Sequence, residues 1–114
     1  MRTLLRHCTL LVLTGALAGA QAPGFEHLAR QAEQARGENR LVEAAALYRK
    51  ALAIRPAWAE GWFYLGTLLY ERDDCRRAAP AFRKAATLQP KAGSAWVLLG
   101  LCEYRLGQRE QALT

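Results

Sequence analysis

The sequence predicts an all-α fold built as an array of helix–turn–helix repeats (an α-solenoid), with about two and a half repeats. Two observations lead to this prediction. The 114 residues are rich in Ala, Leu, Arg, Gln and Glu, which have high helix propensities. The chain also matches itself at an offset of 34 residues over most of its length, as stacked repeats do. With 52% hydrophobic and 23% charged residues, the composition is that of one globular domain.

Residues 1–20 have the three-part layout of a secretory signal peptide. Two arginines begin the segment, an apolar run follows, and the small residues Ala18-Gly19-Ala20 end it, so we predict cleavage before Gln21. The apolar run is shorter than the roughly 20 residues that span a bilayer. The protein is therefore expected to be exported, to the periplasm or outside the cell, without a stable membrane anchor after cleavage. The alternative is that this segment forms a buried helix of the fold.

Residues 21–24 are predicted to be a linker, because Pro and Gly interrupt regular structure. A repeat domain over residues 25–114 follows. The 34-residue period divides it into three repeats, of which the last is incomplete: 25–58, 59–92 and 93–114. In the third repeat a second helix is expected to begin at Gln108. The shortness of this repeat indicates that the protein continues beyond Thr114.

The repeat pattern is clearest in residues 59–92. Apolar residues spaced i, i+3, i+4 and i+7 mark one face of a first helix: Trp62, Leu65, Gly66 and Leu69. A second helix shows the same spacing: Ala78, Phe82 and Ala85. Small residues are expected where the helices approach closely and large ones on either side, so Trp62, Phe82 and the matching Trp96 should be buried. Asp73 and Asp74 are predicted to form the turn and to cap the second helix.

In this register the chain resembles the tetratricopeptide repeat family, whose signature reads W-x2-L-G-x2-Y, then A-x3-F, then a proline. The second repeat follows that signature, with Leu69 in place of its last aromatic residue: Trp62, Leu65, Gly66, Ala78, Phe82 and Pro90. The first repeat matches the signature less well, with Leu28 and Ala32 at the Trp and Gly positions. The resemblance implies that first helices line a concave groove, which holds a peptide or a partner helix.

The groove that the resemblance implies would be lined by one set of side chains: Phe63, Tyr64, Thr67, Tyr70, Val97, Leu98, Leu101 and Tyr104. We expect the larger of these to be exposed: Phe63, Tyr64, Tyr70, Leu101 and Tyr104. The first helices are then apolar on two faces, which marks either an interface or additional packing against neighbouring helices. The subgroup that clamps C-terminal carboxylates needs Lys, Asn and Arg at groove sites, which are occupied here by other residues: Ala29, Glu33, Tyr64, Ser94 and Leu98. An apolar or aromatic segment is therefore the expected ligand.

The sequence predicts no catalytic residue, no metal site and no cofactor, so the chain is not expected to be an enzyme. After residue 20, His27 is the one histidine and Ser94 the one serine, and no spacing matches a metal or phosphate motif. The formal charge of +6 is spread along the chain, so no nucleic-acid partner is expected. Cys75 and Cys102 lie on neighbouring helices in the register, and export would favour a disulfide between them. The alternative is two small buried hydrophobic residues.

These observations predict a scaffold for protein–protein interaction that binds a peptide or partner helix in its groove. Two alternatives remain at this point. In the first alternative, the chain is the N-terminal interaction segment of a larger exported enzyme. In the second, it is a self-associating structural repeat protein whose groove holds another copy.

Overall fold

The computed structural model describes residues 23–113, which form five helices and no strand. The helices follow one another in this order: α1 (Phe25–Gly37), α2 (Leu41–Ile54), α3 (Ala59–Glu71), α4 (Cys75–Leu88) and α5 (Gly93–Leu113). The predicted signal peptide, residues 1–20, lies outside the described residues. Pro23 and Gly24 precede α1 without regular structure. None of the described helices is both long and apolar enough to cross a bilayer.

Each helix packs against the next one along the chain, from α1 on α2 to α4 on α5. This serial pairing is the arrangement of a helical repeat stack, in which contacts are made between neighbouring units. The predicted all-α repeat solenoid is therefore confirmed. Its core is made mainly of alanines and leucines, with Tyr48 and Phe82 as the largest fully buried side chains. The predicted burial of Phe82 is confirmed.

Two equivalent turns join the paired helices. Asn39, between α1 and α2, has φ 60°, and Asp73, between α3 and α4, has φ 58°. Asn and Asp adopt this left-handed conformation more readily than other non-glycine residues. In the second turn the Asp74 carboxylate accepts a hydrogen bond from the backbone N–H of Arg77 at 3.2 Å. The predicted turn and helix cap at Asp73 and Asp74 are confirmed.

The third repeat differs from the prediction. α5 runs without a break from Gly93 to Leu113 and passes through Gly107, which lies 34 residues after Asp73. The expectation that a second helix begins at Gln108 is therefore wrong. The residues that follow Gly107 have high helix propensities, and Arg109 pairs with Asp73 at 2.6 Å, so local preference and a salt bridge both favour the straight course.

Candidate partner-binding surface

Tyr64 lies between the first and second repeats. Its ring centroid is 5.9 Å from that of Tyr48. The guanidinium carbon of Arg36 lies 4.0 Å from the centroid of the Tyr64 ring, within the range of a cation–π contact. The same arginine donates from Nε to the hydroxyl oxygen of Tyr48 at 3.2 Å. Tyr64 is half-buried, so the expectation of an exposed side chain is wrong, and its contacts hold the two repeats together.

The pKa values of Tyr48 and Arg36, which both contact the Tyr64 ring, reflect this packing. Burial raises the pKa of the Tyr48 hydroxyl. The hydrogen bond with that hydroxyl raises the pKa of Arg36. The pair therefore stays as a neutral phenol and a charged guanidinium.

The other predicted groove residues of α3 are also half-buried. Phe63 meets the Phe82 ring edge-on, with centroids 6.0 Å apart. The Thr67 hydroxyl donates to the carbonyl of Tyr64 at 2.8 Å, within its own helix. Tyr70 lies beneath Arg105 of α5, whose guanidinium carbon is 4.4 Å from the ring centroid. Phe63 and Tyr70 are therefore only partly exposed, so the expectation that their side chains are exposed is wrong.

α5 carries the most exposed apolar surface of the predicted groove. Val97 and Tyr104 are 64% and 65% exposed, and Leu101 is 42% exposed. These three residues lie at i, i+4 and i+7, so they share one helix face, which we call the α5 stripe. Leu98 lies off this face, half-buried against the core.

A cleft of ≈ 290 Å³ lies between the start of α3, the end of α4 and the start of α5. Its apolar walls include the rings of Phe63 and Tyr64 and alanines from all three helices, and its polar lining includes Glu60 and Ser94. Because Ser94 lies three residues before Val97 on the same helix face, the cleft leads onto the α5 stripe. Of the predicted lining, Phe63 and Tyr64 of α3 thus meet the start of α5 at this cleft.

Trp96 is 46% exposed, so the expectation that it is buried is wrong. The equivalent Trp62 is half-buried and packs near Ala85 and Ala86 of α4. The difference follows from the straight course of α5. Within residues 23–113, no helix lies on α5 in the way that α4 lies on α3.

The sequence reasoning missed Trp58, which lies between the first two repeats. Its ring meets Phe25 edge-on at a centroid distance of 4.9 Å and lies 5.8 Å from that of Tyr48. A Cβ on Gly61 would come within 2.3 Å of the Trp58 ring, so the ring needs a glycine there. The signature includes neither position, and the residue 34 after Trp58 is Ala92. No repeat pattern could therefore have identified this contact.

Cys75 and Cys102 are fully buried free thiols in the structure. They belong to the same buried cluster of the core. Burial, and then the neighbouring Cys75, raise the pKa of Cys102 to about 12. The predicted contact between α4 and α5 at these residues is present, and the disulfide itself stays a prediction.

In the described range no group of three or more His, Cys, Asp and Glu side chains is placed to hold a metal ion. Charged groups of α4 and α5 pair with each other between the helices. Arg83 of α4 donates to Glu103 of α5 at 2.8 Å. This pair is exposed, and exposed salt bridges contribute little to stability.

Comparison with known proteins finds a family for part of the sequence and similar folds for most of it. A tetratricopeptide repeat model matches residues 63–114. A chain of the CopN–Scc3 complex superposes with a TM-score of 0.68 at 19% identity, over 77% of this chain and 52% of that one. The Sgt2 tetratricopeptide domain from Aspergillus fumigatus gives 0.65 at 24% identity, over 80% of this chain and 60% of that one. No curated protein matches the sequence significantly.

The chain thus spans between half and two thirds of the length of these two structures, and at such identities the likeness shows the fold. Arrays with this fold are typically non-enzymatic scaffolds whose extended surfaces serve protein–protein contacts. Residues 63–114 thus match the tetratricopeptide repeat family in sequence, and the helical stack has the fold of such repeats.

Proposed function

We propose that this protein is an interaction scaffold that binds an apolar or aromatic segment of a partner protein along α3 and α5. The observation that carries the proposal is the α5 stripe, Val97, Leu101 and Tyr104, which is exposed and leads into the cleft beside Phe63. A contiguous exposed apolar surface of this kind marks an interaction site, because leaving it in water is unfavourable.

The cleft indicates what the ligand carries. Its alanine methyl groups and aromatic rings favour an apolar side chain, and Glu60 and Ser94 offer acceptors for one or two donors of the ligand. A ligand with a terminal carboxylate would instead require a cation here. Glu60 makes such a ligand unfavourable at this end of the surface.

The experiment is a selection from a displayed random peptide library, followed by affinity measurements on the peptides that bind the 114-residue chain. Leu101→Ser and Tyr104→Ser should each lower the affinity for those peptides at least tenfold, since aromatic and aliphatic anchors carry much of an interface's binding energy. Val42→Ser is the matched control, because Val42 of α2 is 65% exposed and lies far from the stripe in sequence. If the control weakens binding as much as the stripe variants do, or if no peptide is selected, the proposal is wrong.

We also propose that the protein is exported. The support is the layout of residues 1–20, with its positive start, apolar run and small residues before Gln21. N-terminal sequencing of protein recovered outside the cytoplasm should give Gln21 as the first residue. Protein that keeps Met1 in the soluble cell fraction would contradict export.

A further inference from the structure

Two helix faces are built alike. One carries Trp62 and Gly66 on α3, and the other carries Trp96 and Gly100 on α5. In each, the indole N–H of the tryptophan donates to the carbonyl of the proline six residues earlier, at 2.8 Å in α3 and 3.0 Å in α5. A glycine follows one helical turn after each tryptophan. Both rings are therefore held in the same manner, beside a gap in the side-chain surface of the helix.

On α3 this face is covered by α4. A Cβ on Gly66 would lie 2.7 Å from the Phe82 ring, so the ring occupies the space that the glycine leaves open. Phe82 is fully buried, and the alanines one turn to either side of it, Ala78 and Ala85, are buried with it. A helix with the pattern Ala-x3-Phe-x2-Ala is therefore the natural cover for this face.

On α5 the same face is open in the part of the chain that the structure describes. A Cβ on Gly100 would meet no atom within 4 Å, and Trp96 is half exposed. α5 thus has the tryptophan and the gap at the glycine, but no aromatic ring of the described residues fills that gap as Phe82 does on α3. Neither residue belongs to the α5 stripe or to the cleft.

We propose that the Trp96–Gly100 face of α5 docks an amphipathic helix of a partner protein, with the pattern Ala-x3-Phe/Tyr-x2-Ala and its aromatic ring on Gly100. A second copy of this chain is a poorer occupant. Within residues 23–113 this pattern occurs only in α2 and α4, and the rings there, Tyr48 and Phe82, are fully buried in their own core. The inference goes beyond the proposed function, since it uses Trp96 and Gly100, which adjoin the α5 stripe at Tyr104, and a different type of ligand.

The probe is a synthetic, fluorescently labelled peptide of residues 74–89, which contains α4 and one further residue at each end. It should bind the 114-residue chain saturably in an anisotropy titration. The same peptide with Phe82→Ala should bind at least tenfold more weakly, because the ring that fills the gap is lost. A peptide with Lys84→Ala, changed at an exposed position, should bind as the parent does.

The decisive protein variant is Gly100→Ala. Its new methyl group meets open space in the folded chain, and alanine favours the helix, so the melting temperature should stay the same or rise. The methyl group would nevertheless occupy the gap, so peptide affinity should fall at least tenfold. Gly37→Ala, which also has open space around it, is the matched control and should leave binding unchanged.

Three results would overturn the inference. The first is no binding of the peptide. The second is binding that Gly100→Ala does not change, which would mean that the peptide replaces α4 in its own site. The third is a dimer in sedimentation that Gly100→Ala converts to monomer, which would assign the face to a second copy. Leu101→Ser should leave binding of this peptide within a factor of about two, which separates this face from the proposed groove.

Discussion

The ring of Phe82 lies against Gly66, where an added Cβ would come 2.7 Å from both Cδ1 and Cε1 of the ring. This contact sets the spacing between α3 and α4. Real Cβ atoms do not approach other atoms so closely, so any larger residue at position 66 requires the ring to move. Because Phe82 is fully buried in a close-packed core, the ring has little room to do so.

Gly66→Ala and Gly100→Ala should therefore change stability in opposite directions. Gly66→Ala forces the Phe82 ring out of place and should lower the free energy of unfolding by about 1–3 kcal/mol. Gly100→Ala adds a methyl group in open space and should raise that free energy by roughly 0.5–1 kcal/mol through helix propensity. Urea unfolding followed by circular dichroism measures both. Equal shifts of the same sign would show that the two helices are packed alike.

The contrast between these glycines shows what the sequence can predict. The 34-residue register identifies Gly66, Phe82 and the Asp73 turn correctly, because each depends on contacts within one repeat. The register also places a turn at Gly107, where α5 is straight. A glycine permits a turn but does not require one, and the turn is stabilised only when the next helix packs back on the first.

Contacts between repeats were harder to predict than contacts within them. The pattern marks Tyr64 as a groove residue, but its ring packs on Tyr48 under the Arg36 guanidinium. The signature does not include an arginine at position 36. How consecutive repeats stack depends on such pairs, which differ from one junction to the next and have no period.

Arg36→Ala should lower the free energy of unfolding by about 1–3 kcal/mol, because the buried Tyr48 hydroxyl loses its partner. In that background Tyr48→Phe should recover part of the loss, since it removes the unsatisfied hydroxyl. A double-mutant cycle from urea unfolding gives the coupling between the two side chains. A coupling close to zero would mean that the hydrogen bond between the repeats contributes nothing to stability.

The stability of the protein should fall at alkaline pH because of Cys102. Burial raises the pKa of its thiol from 9.0 to about 12 in the folded protein. The folded state therefore holds a proton that the unfolded state releases, so this contribution is complete below pH 9 and is lost as the pH rises toward 12. Urea midpoints at pH 7.5 and pH 10 should differ more for the wild type than for Cys102→Ala. Burial of Tyr48 acts in the same direction, and the comparison with the variant removes it.

Oxidation should join Cys75 to Cys102, since both are buried in the same cluster of the core. A disulfide donor such as oxidised glutathione would take up the two electrons through thiol–disulfide exchange. The bridge should stabilise the protein by about 3 kcal/mol in the chain-entropy model. Thiol counting on denatured protein that begins at Gln21, and so lacks Cys8, should find neither thiol free after oxidation. Two titratable thiols after prolonged oxidation would show that the buried pair does not react.

NMR chemical-shift mapping with a library-selected peptide measures directly where a ligand binds on the protein. We expect the largest backbone amide shifts at Phe63, Val97, Leu101 and Tyr104, with Val42 on α2 unchanged. That result would place the ligand on the cleft and the α5 stripe. Shifts confined to α2 and the outer side of α4 would contradict the account, because the exposed apolar surface of α5 would then have no role in binding.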